Sequence, residues 1–143
     1  MLLKKMCEKL EIEFDEEFYE KCEIFTNTLQ QWGKIHNLSA ELENEKIYKN
    51  IIDSIYPLSF LDDFKSFADI GTGAGYPGLI IAMAKPDVKT YLIEPRAKRV
   101  AFLNFIKNTL QLDNVEIICN RVENVKDVSV DLITSRAVSN TSL

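Results

Sequence analysis

Ser66-Phe67-Ala68-Asp69-Ile70-Gly71-Thr72-Gly73-Ala74-Gly75-Tyr76-Pro77-Gly78 decides the fold of this 143-residue chain. Ser66 to Ile70 is a short apolar segment suited to a buried strand, and the unbroken apolar run Leu79 to Ala84 reads as a buried helix. Between them, Gly71, Gly73 and Gly75 permit a sharp turn and let the backbone approach a ligand with no Cβ in the way. The helix after the turn presents unpaired N–H groups, although Pro77 contributes none.

The pattern continues downstream. Thr90 to Ile93 suits a second strand ending at Glu94, and Ala97 to Leu110 an amphipathic helix with Val100, Leu103, Ile106 and Leu110 on one face. Val115 to Cys119 and Val130 to Thr134 suit a third and a fourth strand. Strands alternating with helices predict an α/β fold, a Rossmann-like parallel sheet with helices on both faces.

Upstream the reading is helical. Phe18, Cys22, Phe25, Leu29 and Trp32 recur at helical spacing, with Asp15 as N-cap, Glu16 and Glu17 in the first turn and Gly33 as the exit. Phe25 and Trp32 are expected to dock this helix on the downstream core. A second helix after Asn44 buries Ile47, Ile51 and Ile55 and stops before Pro57. These segments form an N-terminal helical cap over residues 1–64, packed as one unit with a core over residues 65–143.

Composition narrows the function. The net charge is −5, but residues 1–64 carry 7 basic and 14 acidic side chains, whereas residues 65–143 carry 10 basic and 8 acidic. The acidic balance speaks against broad affinity for nucleic acid and leaves room for a local basic patch. No apolar run suffices to cross a bilayer and no signal peptide is evident, so the expected setting is cytoplasmic, away from membranes. Cys7, Cys22 and Cys119 form no C-x-x-C pair, and His36 is the only histidine, so no metal site and no Ser-His-Asp triad is expected.

Glu94 lies 23 residues after Gly71, at the end of the next strand, where a carboxylate can accept both hydroxyls of a ribose. This pattern implies a nucleoside-type cofactor. The same glycines fit G-x-G-x-x-G, so NAD(P) and an oxidoreductase stand as the alternative. A P-loop is excluded, because Leu79-Ile80 stands where Lys-Ser/Thr is required. Asp69 favours S-adenosyl-L-methionine: an acidic group there can meet the cationic methionine end, whereas it would repel a pyrophosphate. Arg96, Lys98 and Arg99 at a helix N-terminus oppose the helix dipole, which points to an external anion such as RNA phosphate. Arg121 and Glu123 by themselves read as a surface ion pair.

The glycine segment resembles the nucleotide loop of the bacterial RsmG family, also called glucose-inhibited division protein B. Its Gly-Tyr-Pro-Gly ending at Gly75 to Gly78 is the distinguishing part. Trp32, Asn37-Leu38-Ser39-Ala40, Asp53-Ser54, Leu92-Ile93-Glu94, Lys98-Arg99, Phe102-Leu103, Arg121-Val122-Glu123 and Ser135-Arg136-Ala137 come in the family's order. Asn50 stands where the family usually has histidine. The resemblance implies a class I S-adenosylmethionine-dependent methyltransferase acting on N7 of a guanine in 16S rRNA, with rRNA or the small ribosomal subunit as partner; a monomer is expected.

By the same resemblance, Gly71 and Tyr76 line the cofactor pocket, Glu94 holds the ribose, Val122 and Glu123 flank the adenine, and Arg136 borders the cofactor and the target cleft. No catalytic base is expected, since N7 needs no deprotonation and catalysis is alignment. The fold so implied has about seven strands and the sequence supplies four, so the C-terminal strands read as missing. A cofactor-binding fragment without activity is therefore a further alternative.

Overall fold

The computed structural model describes residues 2–36, 41–126 and 128–135. Helices α1 (Leu2–Lys9), α2 (Glu16–His36) and α3 (Asn44–Ile55) precede the sheet, and a 3-10 turn at Tyr56–Ser59 carries Pro57. Then β1 (Ser66–Ile70), α4 (Gly78–Ala84), β2 (Lys89–Ile93), α5 (Ala97–Leu110), β3 (Val115–Ile118) and β4 (Leu132–Ser135) alternate, with a 3-10 turn at Val122–Asn124. The four strands are parallel in the order β3-β2-β1-β4, with Ile70 opposite both Ile93 and Ser135. Strand order reverses beside β1, and in open α/β sheets ligands gather beyond the strand ends at such a reversal.

The Asp15 cap forms as expected, with its Oδ1 accepting the Phe18 backbone N–H at 2.9 Å. Gly33 does not end α2. The helix continues three residues to His36, and Gly33 serves packing instead: a Cβ there would lie 2.6 Å from Leu42 Cδ2. The last strand begins at Leu132 rather than Val130 because side chains clamp its start. Asp131 Oδ2 accepts the Lys65 N–H at 2.9 Å, while the Asp131 N–H donates to Ser66 Oγ at 2.9 Å.

The cap packs on the core through aromatic rings. Phe25 meets Tyr76 (centroids 5.7 Å apart) and Phe102 (6.1 Å) edge-on, and Trp32 meets Phe102 at 5.8 Å and Phe105 at 5.4 Å. Buried Phe18, Cys22, Leu29, Ile47, Ile51 and Ile55 join Leu79, Ile80, Leu103 and Ile106 in one apolar cluster. No described helix is long and apolar enough to cross a membrane.

Candidate cofactor groove

The chain leaves β1 into a loop whose glycines all have positive φ: +72° at Gly71, +60° at Gly73 and +112° at Gly75. The Gly71 N–H donates to the Ile93 carbonyl at 2.8 Å, which seats the loop against the end of β2. A Cβ on Gly71 would meet nothing within 4 Å. Glycine is required there by φ, and the space above it belongs to a groove.

Gly78 answers a different demand. A Cβ on it would come within 2.6 Å of Asp69 Cβ and 2.5 Å of Leu92 Cδ2, so α4 starts pressed onto β1 and β2. The close approach lets Asp69 Oδ2 accept the Gly78 N–H at 2.7 Å, satisfying one of the orphan donors of α4. Asp69 Oδ1 accepts from the Thr134 hydroxyl at 3.0 Å. Asp69 is fully buried, so its observed work is to hold β1, β4 and the start of α4 together beneath the loop.

A groove of about 530 Å³ opens over the ends of β1, β2 and β3. Gly71, Val122 and Glu123 line it together, beside Ile93, Pro95 and Arg96. Glu94, between two of these lining residues, is buried; its Oε1 accepts the Gly73 N–H at 2.9 Å and its Oε2 the Arg96 N–H at 3.0 Å. A carboxylate offers about four acceptor positions, so two remain for hydroxyl donors. Arg121 and Glu123 form no ion pair among the described residues; both face the groove instead.

Other expected residues lie elsewhere. Tyr76 is buried against Phe25 and lines a second hollow, not this groove. Gly75 packs under the loop, where its Cβ would be 2.9 Å from Leu79 Cβ. Arg96 and Lys98 are exposed, while half-buried Arg99 reaches over the loop, its Nη1 3.7 Å from where a Gly73 Cβ would sit. Arg136 lies outside the described residues, as do Asn37-Leu38-Ser39-Ala40 and Ala137.

Sequence reasoning missed Thr72. It is buried within the loop, and its Oγ1 has no hydrogen-bond partner among the described residues. Leaving a hydroxyl so costs about 1–3 kcal/mol, and only its place between two glycines hinted at a role. The open space over Gly71, the spare acceptors of Glu94 and the Thr72 hydroxyl fit a nucleoside carrying an amino-acid tail.

The family model described as rRNA small subunit methyltransferase G matches residues 18–143. This chain belongs to that family. Membership makes it an S-adenosylmethionine-dependent methyltransferase and removes the dinucleotide alternative. Relatives called ribosomal RNA small subunit methyltransferase G include one from Aliarcobacter butzleri, 63% identical over 99% of this chain and 73% of its own length. Another, from Wolinella succinogenes, is 46% identical over 97% of this chain and 72% of its own. Among solved structures, coclaurine N-methyltransferase bound to N-methylheliamine and SAH superposes with a TM-score of 0.56 at 15% identity, covering 94% of this chain and 47% of that one. That likeness is one of fold: the parallel sheet read from the alternating elements is the class I methyltransferase sheet that the resemblance implies.

Proposed function

We propose that this chain methylates N7 of a guanine in 16S rRNA, acting as a monomer in the cytoplasm, with residues 1–64 as cap and residues 65–143 as catalytic core. The carrying observation is the groove, where Gly71, Val122 and Glu123 converge over the buried Glu94. The family's relatives, named for the small-subunit rRNA, supply the substrate class.

Glu94 receives the ribose hydroxyls, Val122 and Glu123 flank the adenine, and the Gly71–Gly75 loop, with Thr72, accommodates the amino-acid tail. Asp69 acts from below by fixing that loop. When bound, S-adenosylmethionine supplies an electrophilic methyl group. Guanine N7 has an available lone pair, so the chain needs no general base; its task is to hold the two reactants in line. Arg96, Lys98 and Arg99 are in no ion pair among the described residues, which leaves their charge for RNA phosphates, although Arg99 also leans over Gly73.

The test is methyl transfer from labelled S-adenosylmethionine to small subunits purified from cells lacking this modification. Mass mapping is expected to find 7-methylguanosine at one site in the rRNA. Its absence, with cofactor binding intact by calorimetry, would leave a binding module without activity.

A further inference from the structure

A second hollow lies at the far end of the glycine loop. It measures about 260 Å³ and is lined by Asn50, Asp53 and Ser54 of α3 and by Tyr76 and Pro77. Pockets for drug-sized ligands run to ~300–1,000 Å³, so this one suits a single flat base rather than a nucleotide cofactor. Gly71 opens on the cofactor groove and Tyr76-Pro77 on this hollow, so one loop borders both.

The polar groups of the hollow have a definite sense. Asp53 is exposed, and among the described residues its carboxylate is in no ion pair. Asn50, three residues earlier and so on the same helix face, gives one Nδ2 hydrogen to Glu41 Oε1 at 3.1 Å and keeps a second. The Ser54 hydroxyl donates to the Asn50 carbonyl at 2.7 Å and is buried. The hollow thus offers a two-oxygen acceptor beside an amide donor, against a tyrosine wall that Phe25 holds edge-on.

Guanine presents the complement along one edge: two donors, N1–H and the N2 amino group, beside the O6 acceptor. We infer that this hollow receives the target guanine, with Asp53 accepting from N1–H and N2–H and Asn50 donating to O6. This assignment rests on the proposed guanine-N7 activity. Held by that edge, the base keeps N7, on its other ring, free to face the methyl donor. Adenine, with an acceptor at N1, is refused by the carboxylate. Methylation puts positive charge on the purine and makes N1–H a stronger donor, so the Asp53 contact tightens in the transition state and raises kcat as well as affinity. A base can reach such a hollow only when unstacked from its RNA.

The experiment compares Asp53→Asn with the wild-type protein on small subunits reconstituted with guanine or inosine, which lacks the N2 amino group, at the target. Wild type is expected to lose about tenfold or more in kcat/KM on inosine, the worth of one charged hydrogen bond. Asp53→Asn is expected to bind S-adenosylmethionine normally by calorimetry, to lose about tenfold or more in kcat on guanine, and to treat the two bases alike. Full activity of Asp53→Asn, an undiminished preference for guanine, or a loss of cofactor binding would each overturn the assignment. A wild-type protein that methylates no guanine would instead overturn the proposed activity, and this subsite with it.

Discussion

The Glu94 carboxylate and the Gly73 backbone N–H, 21 residues apart in sequence, meet at 2.9 Å. The other Glu94 oxygen accepts the Arg96 N–H at 3.0 Å, so one buried side chain ties the glycine loop to the turn into α5. Replacing Glu94 with Gln leaves an amide group facing one of two backbone donors. A hydrogen bond to a charged group is worth ~1.5–3 kcal/mol. Glu94→Gln is expected to lower stability to urea by about that much and to weaken S-adenosylmethionine binding at least tenfold by calorimetry.

Asp69 permits a graded test. Asp69→Ala strands the Gly78 N–H and the Thr134 hydroxyl and is expected to cost about 2–4 kcal/mol in denaturant unfolding. Asp69→Asn keeps an oxygen for Gly78, and the Thr134 hydroxyl can turn to accept from the new amide. Its cost should stay below half of that, with cofactor binding retained. Equal damage from both would show that the negative charge itself matters at the loop.

Two glycines predict opposite outcomes for the same substitution. At Gly78 the new methyl would strike Asp69 Cβ and Leu92 Cδ2 in the packed core, and Gly78→Ala is expected to cost about 1–3 kcal/mol or more. At Gly33 it would meet only the tip of the Leu42 side chain, which can rotate away, and helix α2 gains ~0.5–1 kcal/mol from alanine. Gly33→Ala should therefore fall within about 1 kcal/mol of wild type in the same unfolding assay.

The cysteines carry a pH dependence. Burial pushes the Cys7 and Cys22 thiols up from their ordinary value of 9.0, whereas Cys119 is exposed. In the unfolded chain these thiols release protons near 9, and in the folded protein they hold them. Their contribution is whole below pH 9 and is lost as pH rises through the folded values, so stability should fall above pH 9. Ellman's reagent at about pH 8 is expected to label one thiol quickly in the native protein and three after unfolding.

Much of this is legible in the sequence because it rests on local rules. The Phe18–Trp32 stripe, the Asp15 cap and Ala97–Leu110 follow from helical spacing and end chemistry, and the structure reproduces each. Gly33 misleads because a glycine that ends a helix and one that admits a neighbour look alike in sequence. Only the return of Leu42 across α2 separates them. Asp69 is readable as an acid beside the loop, but its direction depends on α4 and on Thr134, 65 residues away. Tyr76 falls in the other hollow for the same reason: position along a loop does not say which wall a ring joins. Asp53 and Asn50 acquire a shared purpose only once α3 lies beside Tyr76-Pro77.

The edge-on contact between Phe25 and Tyr76 carries a consequence for how the molecule can move. A ring of the N-terminal helices is wedged against the glycine loop, so that layer is packed into the core rather than laid over it as a cover. It is a brace, and the substrate must come to a surface whose two hollows are already set relative to each other.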